Sequence, residues 1–194
     1  MSIVFALHGA KGAGKDEFYK IVKRFFPDLD VRKISYADPI RRKVNRIFDL
    51  RSEEEYDLFK RTTLSFNIGG EERHVDGRTV VRDFGMLMRS YDVDQFVRNV
   101  EQEIEASPDT VWCITDLRFQ NELESVKALD AVVVKVLRDG VPYDGHVTET
   151  EIPDAFCDYI VHNDGTMLNY EFEVVSLVEH VIHYRAPELL KVEG

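Results

Sequence analysis

The chain has 194 residues, which suits one domain, or one domain with an inserted flap, and is too short for two full-sized domains. Hydrophobic residues make up 44% of the sequence and charged residues 31%, a composition typical of folded soluble proteins and unlike that of disordered chains. The formal net charge of −11 argues against a broad basic surface for a nucleic-acid polymer, although a few local cations could still hold a small anionic ligand.

Membrane spans and disulfides are not expected either. No apolar run approaches the roughly 18 residues of a membrane span, and the apolar N-terminal stretch has no basic flank, so it predicts a strand and not a signal peptide. We therefore expect a cytoplasmic protein that contacts no membrane. Cys113 and Cys157 are far apart in sequence and lack metal-ligand spacing, which favours reduced thiols over a disulfide framework or a zinc site.

Strand and helix patterns alternate from the first residues onward. The continuous apolar run at residues 3–7 is typical of a strand buried on both faces of a parallel sheet. Apolar residues at helical spacing follow over residues 15–27, and residues 31–36 form a shorter strand pattern. Asp38 and Pro39 then predict the start of a helix, with Asp38 as its N-cap.

The middle of the chain predicts mainly helices. Helical patterns cover residues 52–66, 78–90 and 94–106, and the glycine-containing stretch 67–77 predicts an exposed loop or hairpin. Together with the preceding helix, these segments predict a helical insertion over about residues 38–107 that lies beside the sheet.

The last part of the chain returns to alternating strands and helices. Its strand patterns lie at 111–115, 131–137 and 159–161, and its helix patterns lie near 120–129 and 167–183. Residues 138–153 contain glycines and prolines and predict a mobile loop. Five apolar strands separated by helices predict an α/β fold, in which a parallel sheet carries helices on both faces.

The segment between the first strand and the first helix fits the phosphate-loop pattern G-x-x-x-x-G-K. Its residues, all candidates for ATP binding, are Gly9, Ala10, Lys11, Gly12, Ala13, Gly14, Lys15 and Asp16. Glycines let backbone N–H groups turn toward phosphate oxygens, and Lys15 can reach the β- and γ-phosphates. Asp16 replaces the usual Ser or Thr. It is either a Mg²⁺ ligand or a compensating charge at the helix N-terminus, and a glycine-rich turn without a ligand is the alternative for the whole loop.

A second acidic element supports a phosphate site. The strand at 111–115 delivers Asp116 to its carboxyl end, where open α/β sheets bind ligands, so Asp116 is a candidate metal-organising carboxylate. Arg118 follows two residues later with a planar guanidinium suited to phosphate oxygens. The alternative is a structural pair between Asp116 and Arg118, while Trp112 is expected in the core.

These residues together resemble the deoxynucleoside monophosphate kinases of tailed bacteriophages, the T-even type among them. The similarity lies in residues 9–18, 36–40, 84–89, 114–122, 146–149 and 158–166. It implies a P-loop kinase three-layer αβα fold with a five-stranded parallel sheet, a helical acceptor-binding insertion and a lid loop over about 138–153. Two departures are Met86, where the family has Thr, and residues 50–77, which match nothing in it.

The resemblance implies transfer of the γ-phosphoryl group of ATP to a deoxynucleoside 5′-monophosphate with Mg²⁺, and it suggests a homodimer. The residues assigned to catalysis are Lys15, Arg118, Arg138 and Asp116, and those assigned to the metal are Asp16 and Asp116. Arg138 begins the lid loop and could close over the site. Asn163, Gly165 and Thr166 resemble a segment that borders adenine, unless Thr166 only caps the last helix.

Acceptor binding is assigned to a set of residues that lies mostly in the insertion. They are Asp38, Arg42, Arg78, Arg82, Gly85, Arg89, Arg118, Glu122 and Glu149. For Arg78, Arg82 and Arg89 the alternative is a solvated helix face, and for Asp38 it is a helix cap. Two other functions stay open: a kinase for another small acceptor, such as phosphomevalonate or dephospho-coenzyme A, and an ATP-binding switch without phosphoryl transfer.

Overall fold

A computed structural model describes residues 2–142 and 152–190. Its strands are β1 (Ile3–His8), β2 (Val31–Ile34), β3 (Thr63–Ile68), β4 (Glu71–Asp76), β5 (Val111–Ile114), β6 (Val132–Leu137) and β7 (Tyr159–His162). Its α-helices are α1 (Lys15–Phe25), α2 (Asp38–Ile47), α3 (Glu53–Arg61), α4 (Gly77–Tyr91), α5 (Gln95–Glu105), α6 (Gln120–Ala128) and α7 (Met167–Arg185). Short 3-10 helices cover Asp154–Phe156 and Pro187–Leu190.

The predicted five-stranded parallel sheet is confirmed. Its strand order is β2-β5-β1-β6-β7, and every neighbouring pair is parallel. β1 lies in the centre with all six residues buried, which explains its unbroken apolar sequence. The carboxyl ends of the strands share one edge of the sheet, where the glycine loop leaves β1 and where β5, β6 and β7 end.

One hydrophobic core fills the space between the sheet and two helices. It combines alternate strand residues, such as Phe5 and Val134, with Phe18 of α1 and Val178 of α7. Cys113 belongs to this core as a free thiol, and burial raises its pKa to about 12. The opposite face of the sheet carries alternate residues that include two buried polar side chains, one on β1 and one on β6.

The described chain forms two compact units. The sheet unit contains residues up to 36 and from 100 onward, and the insertion unit contains residues 37–99. In the insertion unit α4 packs against α2 and α3, and β3 and β4 form an antiparallel hairpin. The rings of Phe48 and Phe59 lie 4.5 Å apart in this unit.

Two local predictions are wrong. The helix predicted over residues 52–66 ends at Arg61, and Thr63 already begins β3. Leu64, Phe66 and Ile68 alternate with polar residues, and this period of two outweighs the helical pattern. Asp38 is the first residue of α2 and not its N-cap, which is Ala37.

In the described residues no helix has both the length and the apolar character that crossing a membrane requires.

Candidate active site

The loop between β1 and α1 makes unusually close contacts with two other strand ends. Gly9 has a φ of 148°, and a Cβ atom there would lie 2.3 Å from the carbonyl oxygen of Val136 on β6. Gly14, the N-cap of α1, has a φ of 117°, and its Cβ would lie 2.5 Å from Nδ2 of Asn163. Backbone conformation therefore favours glycine at both positions. At Gly9 the neighbouring backbone also leaves no space for a side chain, whereas at Gly14 the Asn163 amide would have to move.

Lys15 places its ammonium group on the loop. Nζ donates hydrogen bonds to the carbonyl oxygens of Gly9 at 2.6 Å and Ala10 at 2.9 Å. Because Lys15 is also the first residue of α1, its charge adds to the positive end of that helix. The combination is suited to binding the phosphate groups of a nucleotide.

Two side chains from the end of the chain bind other carbonyl groups of the loop. Nδ2 of Asn163, which follows β7, donates to the carbonyl oxygen of Ala13 at 2.9 Å. The hydroxyl of Tyr170 on α7 donates to the carbonyl oxygen of Gly14 at 2.9 Å. Burial raises the pKa of Tyr170 above its usual value, so the phenol stays protonated and can donate.

Arg138 follows β6 and is exposed, and its Nη1 lies 3.4 Å from the carbonyl oxygen of Gly12. The next residue, Asp139, donates its backbone N–H to Oδ1 of Asp164 at 2.5 Å. Oδ2 of Asp164 lies 3.2 Å from Nδ1 of His162. These contacts join the ends of β6 and β7 beside the phosphate loop.

A cleft of about 220 Å³ opens at this place. Its lining includes Ala10, Ala13, Leu137, Arg138, His162 and Asp164. It therefore combines apolar surface from the loop and β6 with charged side chains.

Asp116 lies directly beyond β5 and connects it to the end of β2. Its Oδ2 accepts a hydrogen bond from the Ser35 hydroxyl at 2.5 Å, and its Oδ1 accepts one from the backbone N–H of Tyr36 at 2.8 Å. Both donors come from the residues that follow β2. The carboxylate is thus held at the ligand-binding edge of the sheet, next to the strand that leads into the glycine loop.

Arg118 is half-buried, and its backbone is held by a buried carboxylate. Oε2 of Glu122 accepts from the backbone N–H groups of Arg118 at 2.9 Å and Phe119 at 3.0 Å. Glu122 is 1% exposed, and these bonds give it a capping role at the start of α6. Its assignment to acceptor binding stays a prediction.

Two other predicted nucleotide ligands have structural partners of their own. The Asp16 side chain is 71% exposed and lies 3.2 Å from Nζ of Lys33, and its metal role stays a prediction. The Thr166 side chain accepts the backbone N–H of Asn169, so Thr166 does cap α7. Gly165 precedes it in the same exposed turn.

Four of the five arginines predicted for the acceptor site lie in the insertion unit, and the fifth, Arg118, lies in the sheet unit. Arg78 and Arg42 are exposed, and Nε of Arg82 lies 3.3 Å from Oδ1 of Asp83. The guanidinium of Arg89 lies 4.8 Å from the centre of the Phe96 ring. Their contacts with an acceptor stay predictions.

Gly85 and Asp38 have local roles in the same unit. A Cβ on Gly85 would lie 2.8 Å from Cδ1 of Ile40, so glycine lets α4 approach α2. Asp38 pairs with Arg41 at 3.1 Å. Glu149 and most of the predicted lid lie outside the described residues.

Sequence reasoning missed Tyr170 and Ser35. Tyr170 occupies an apolar position of α7 and looks like a core residue. The available signal was the Tyr170 hydroxyl group. Phe would fill the same apolar space, whereas a fully buried phenol needs a hydrogen-bond partner. For Ser35 the signal was a hydroxyl residue directly beyond a strand at the ligand-binding edge.

Within the described residues no group of three or more His, Cys, Asp or Glu side chains could hold a metal ion. Mg²⁺ at phosphoryl-transfer sites needs fewer protein ligands, because one or two carboxylates act together with substrate phosphates and water. Asp16 and Asp116, both oxygen donors near the phosphate loop, fit that chemistry.

Comparisons of the sequence and of the structure with known proteins both match this chain to proteins named as kinases. A family model described as deoxynucleotide monophosphate kinase matches residues 78–174, half of the chain. A protein of Acanthamoeba polyphaga mimivirus, provisionally named a deoxynucleotide monophosphate kinase, is 24% identical over 190 residues, 92% of this chain and 97% of that protein. The deoxynucleotide monophosphate kinase of Escherichia phage RB69 is 32% identical over 95 residues, which are 48% of this chain and 37% of the phage protein.

Among solved structures, dephospho-CoA kinase from Campylobacter jejuni superposes with a TM-score of 0.52 at 14% identity. The match covers 93% of this chain and 98% of that kinase. At this identity the likeness concerns the fold alone, and it confirms the expected P-loop kinase architecture.

Proposed function

Since the chain belongs to the deoxynucleotide monophosphate kinase family and is a phosphotransferase, we propose that it transfers the γ-phosphoryl group of ATP to a deoxynucleoside 5′-monophosphate. An oxygen of the monophosphate forms a bond to the γ-phosphorus, the bond from that phosphorus to the β-phosphate oxygen breaks, and ADP leaves. The products are a deoxynucleoside diphosphate and ADP. The observation that carries this proposal is the phosphate loop with Lys15 on its carbonyl groups, in a chain of this family.

The donor nucleotide is assigned to the sheet unit. Lys15 and the N–H groups of the loop bind the β- and γ-phosphates, where cationic and dipolar groups offset the charge of the transferred group. The cleft beside Arg138 and Asp164 is the place we assign to the adenine ring, since it adjoins the loop and includes apolar surface from the loop and β6. In the sequence, Asn163, Gly165 and Thr166 lie beside two residues of its lining, His162 and Asp164.

Mg²⁺ is the proposed cofactor, with Asp16 and Asp116 as its protein ligands. When bound, it neutralises phosphate charge and orients the donor phosphates for in-line transfer. Ser35 and Tyr36 hold the Asp116 carboxylate in place, which favours a fixed ligand position over a mobile one.

The acceptor needs charge neutralisation and not a general base. The second pKa of a phosphate monoester is about 6, so the attacking oxygen is already ionised at pH 7. We assign Arg118 to the acceptor or transferred phosphate, and we keep Arg42, Arg78, Arg82 and Arg89 as proposed acceptor-binding residues. Arg138 stabilises the same charge from the β6 side.

The test is acceptor-dependent release of ADP from Mg²⁺ and ATP. A panel should contain the four deoxynucleoside monophosphates, the corresponding ribonucleotides, dephospho-coenzyme A and phosphomevalonate, with chromatography of the products. We expect equal amounts of ADP and a deoxynucleoside diphosphate. Turnover only with a non-nucleotide acceptor, or ATP binding without any turnover, would refute the proposal. Light scattering of the same sample tests the suggested homodimer.

A further inference from the structure

His8 is a buried side chain to which no role has yet been assigned. It ends β1, directly before Gly9, and is 1% exposed. Its Nδ1 lies 3.1 Å from the carbonyl oxygen of Leu117, and its Nε2 lies 3.0 Å from the backbone nitrogen of Ile152. The N–H of Ile152 can only donate, so Nε2 accepts. The neutral ring then carries its proton on Nδ1 and donates it to Leu117.

This contact fixes one end of a peptide group whose other end is also bound. The carbonyl of Leu117 and the N–H of Arg118 belong to the same planar peptide. His8 binds the carbonyl, and Glu122 binds the N–H at 2.9 Å. The preceding N–H, that of Leu117, donates to the carbonyl oxygen of Leu7 at 3.3 Å. The backbone between Asp116 and Arg118 is therefore held by two successive residues of β1 and by the capping glutamate.

We infer that His8 is a positioning residue that orients Arg118 toward the phosphate loop through the peptide between Leu117 and Arg118. The inference rests on the proposed function, because the role of Arg118 in phosphoryl transfer belongs to that proposal. His8 adjoins the loop in sequence and Leu117 adjoins Arg118, so their hydrogen bond, together with that from Leu117 to Leu7, sets the spacing of two phosphate-binding elements. Displacement of a reacting group by about 1 Å can cost on the order of 100-fold in rate.

The second contact of His8 can be separated from the first. Lys135 on β6 is the register partner of His8, and its Nζ donates to Oδ1 of Asp154 at 2.6 Å. The segment that contains Ile152 is thus attached to the sheet by a bond that does not involve His8. Changes at His8 should therefore act mainly through Leu117.

Two substitutions at His8 separate the two ring nitrogens. In His8→Asn the side-chain NH₂ group takes the place of Nδ1–H and can donate to Leu117. In His8→Gln the longer amide reaches the Nε2 position and can accept from Ile152, but the donor to Leu117 is lost. We expect His8→Asn to keep kcat within about threefold of wild type and His8→Gln to lose about 10- to 100-fold in kcat, with little change in the KM for ATP.

The matched control is His183→Gln on the exposed side of α7, which should leave kcat unchanged. Wild-type kcat in His8→Gln, or equal losses in both His8 variants, would overturn the inference. In an Arg118→Ala background, His8→Gln should not lower kcat further, because His8 acts through the Arg118 side chain that this background lacks. Additive losses would equally overturn it.

Measurements without substrate keep this inference apart from the proposed function. Absence of turnover with every deoxynucleoside monophosphate would refute the proposed function alone. Long-range ¹H–¹⁵N NMR of the wild-type protein should place the His8 proton on Nδ1, and a proton on Nε2 would overturn the inference. Amide exchange at Arg118 should be faster in His8→Gln than in His8→Asn, and equal exchange rates would overturn it as well.

Discussion

The hydroxyl of Tyr170 donates a hydrogen bond of 2.9 Å to the carbonyl oxygen of Gly14, 156 residues earlier in the chain. Together with the bond from Asn163 to Ala13, it connects the phosphate loop to the turn after β7 and to the first turn of α7. Loop carbonyls that are bound in this way cannot turn toward an incoming phosphate. The bonds therefore favour the arrangement in which loop N–H groups are available to the ligand.

Tyr170→Phe should weaken ATP binding without abolishing catalysis. The lost hydrogen bond is worth about 0.5–1.5 kcal/mol, and Gly14 keeps a second donor, the backbone N–H of Phe18 at 2.9 Å. We expect the KM for ATP to rise about two- to tenfold, with kcat changed by less than that. Tyr184→Phe, an exposed position on the same helix, is the control. Unchanged ATP affinity in Tyr170→Phe would show that this bond does not shape the loop.

Gly9→Ala should be far more damaging than Gly12→Ala. Both glycines have positive φ, which costs an alanine about 1–2 kcal/mol. At Gly12 a Cβ has its nearest neighbour at 3.9 Å, whereas at Gly9 it would lie 2.3 Å from the backbone of Val136. Denaturant unfolding should show that Gly9→Ala lowers the free energy of unfolding by more than about 3 kcal/mol. Similar losses for the two variants would contradict the close approach of the loop to β6.

The central sheet and the phosphate loop were predictable because their signals are local. Strands buried on both faces leave unbroken apolar runs, and a loop that must turn sharply between a strand and a helix leaves glycines at fixed spacing. The end of α3 was predicted too late because Leu64 and Phe66 continue an apolar pattern that suits a helix or a strand equally well over a short window.

The contacts that complete the candidate site are not local and left little trace in the sequence. A histidine at the end of a buried strand shows only that a polar ring is present. Its partners, Leu117 and Ile152, lie 109 and 144 residues away. Likewise, Asp116 could be placed at the correct sheet edge from its strand, but Ser35 as its donor depends on β2 lying next to β5.

Lys15→Ala should reduce phosphoryl transfer by about 100- to 1,000-fold, the range for removal of one group that stabilises transition-state charge. The matched control is Lys20→Ala on the same helix, whose side chain is 65% exposed and pairs with Glu17. Initial rates with saturating acceptor and varied ATP should be compared for both variants. A normal rate in Lys15→Ala would show that the phosphate-loop assignment is wrong.

Asp16→Asn distinguishes a metal ligand from a helix charge. A chelator should stop the reaction, and added Mg²⁺ should restore it. If Asp16 holds the metal, the variant should need about tenfold more Mg²⁺ for half-maximal rate. Lys33→Met removes the observed partner of Asp16 and should leave the Mg²⁺ requirement near that of wild type.

If Asp16 only balances the helix dipole, Asp16→Asn would instead lower the free energy of unfolding slightly, by about 0.3–1 kcal/mol before solvent screening, at an unchanged Mg²⁺ requirement. That result would leave Asp116 as the proposed metal ligand of this chain.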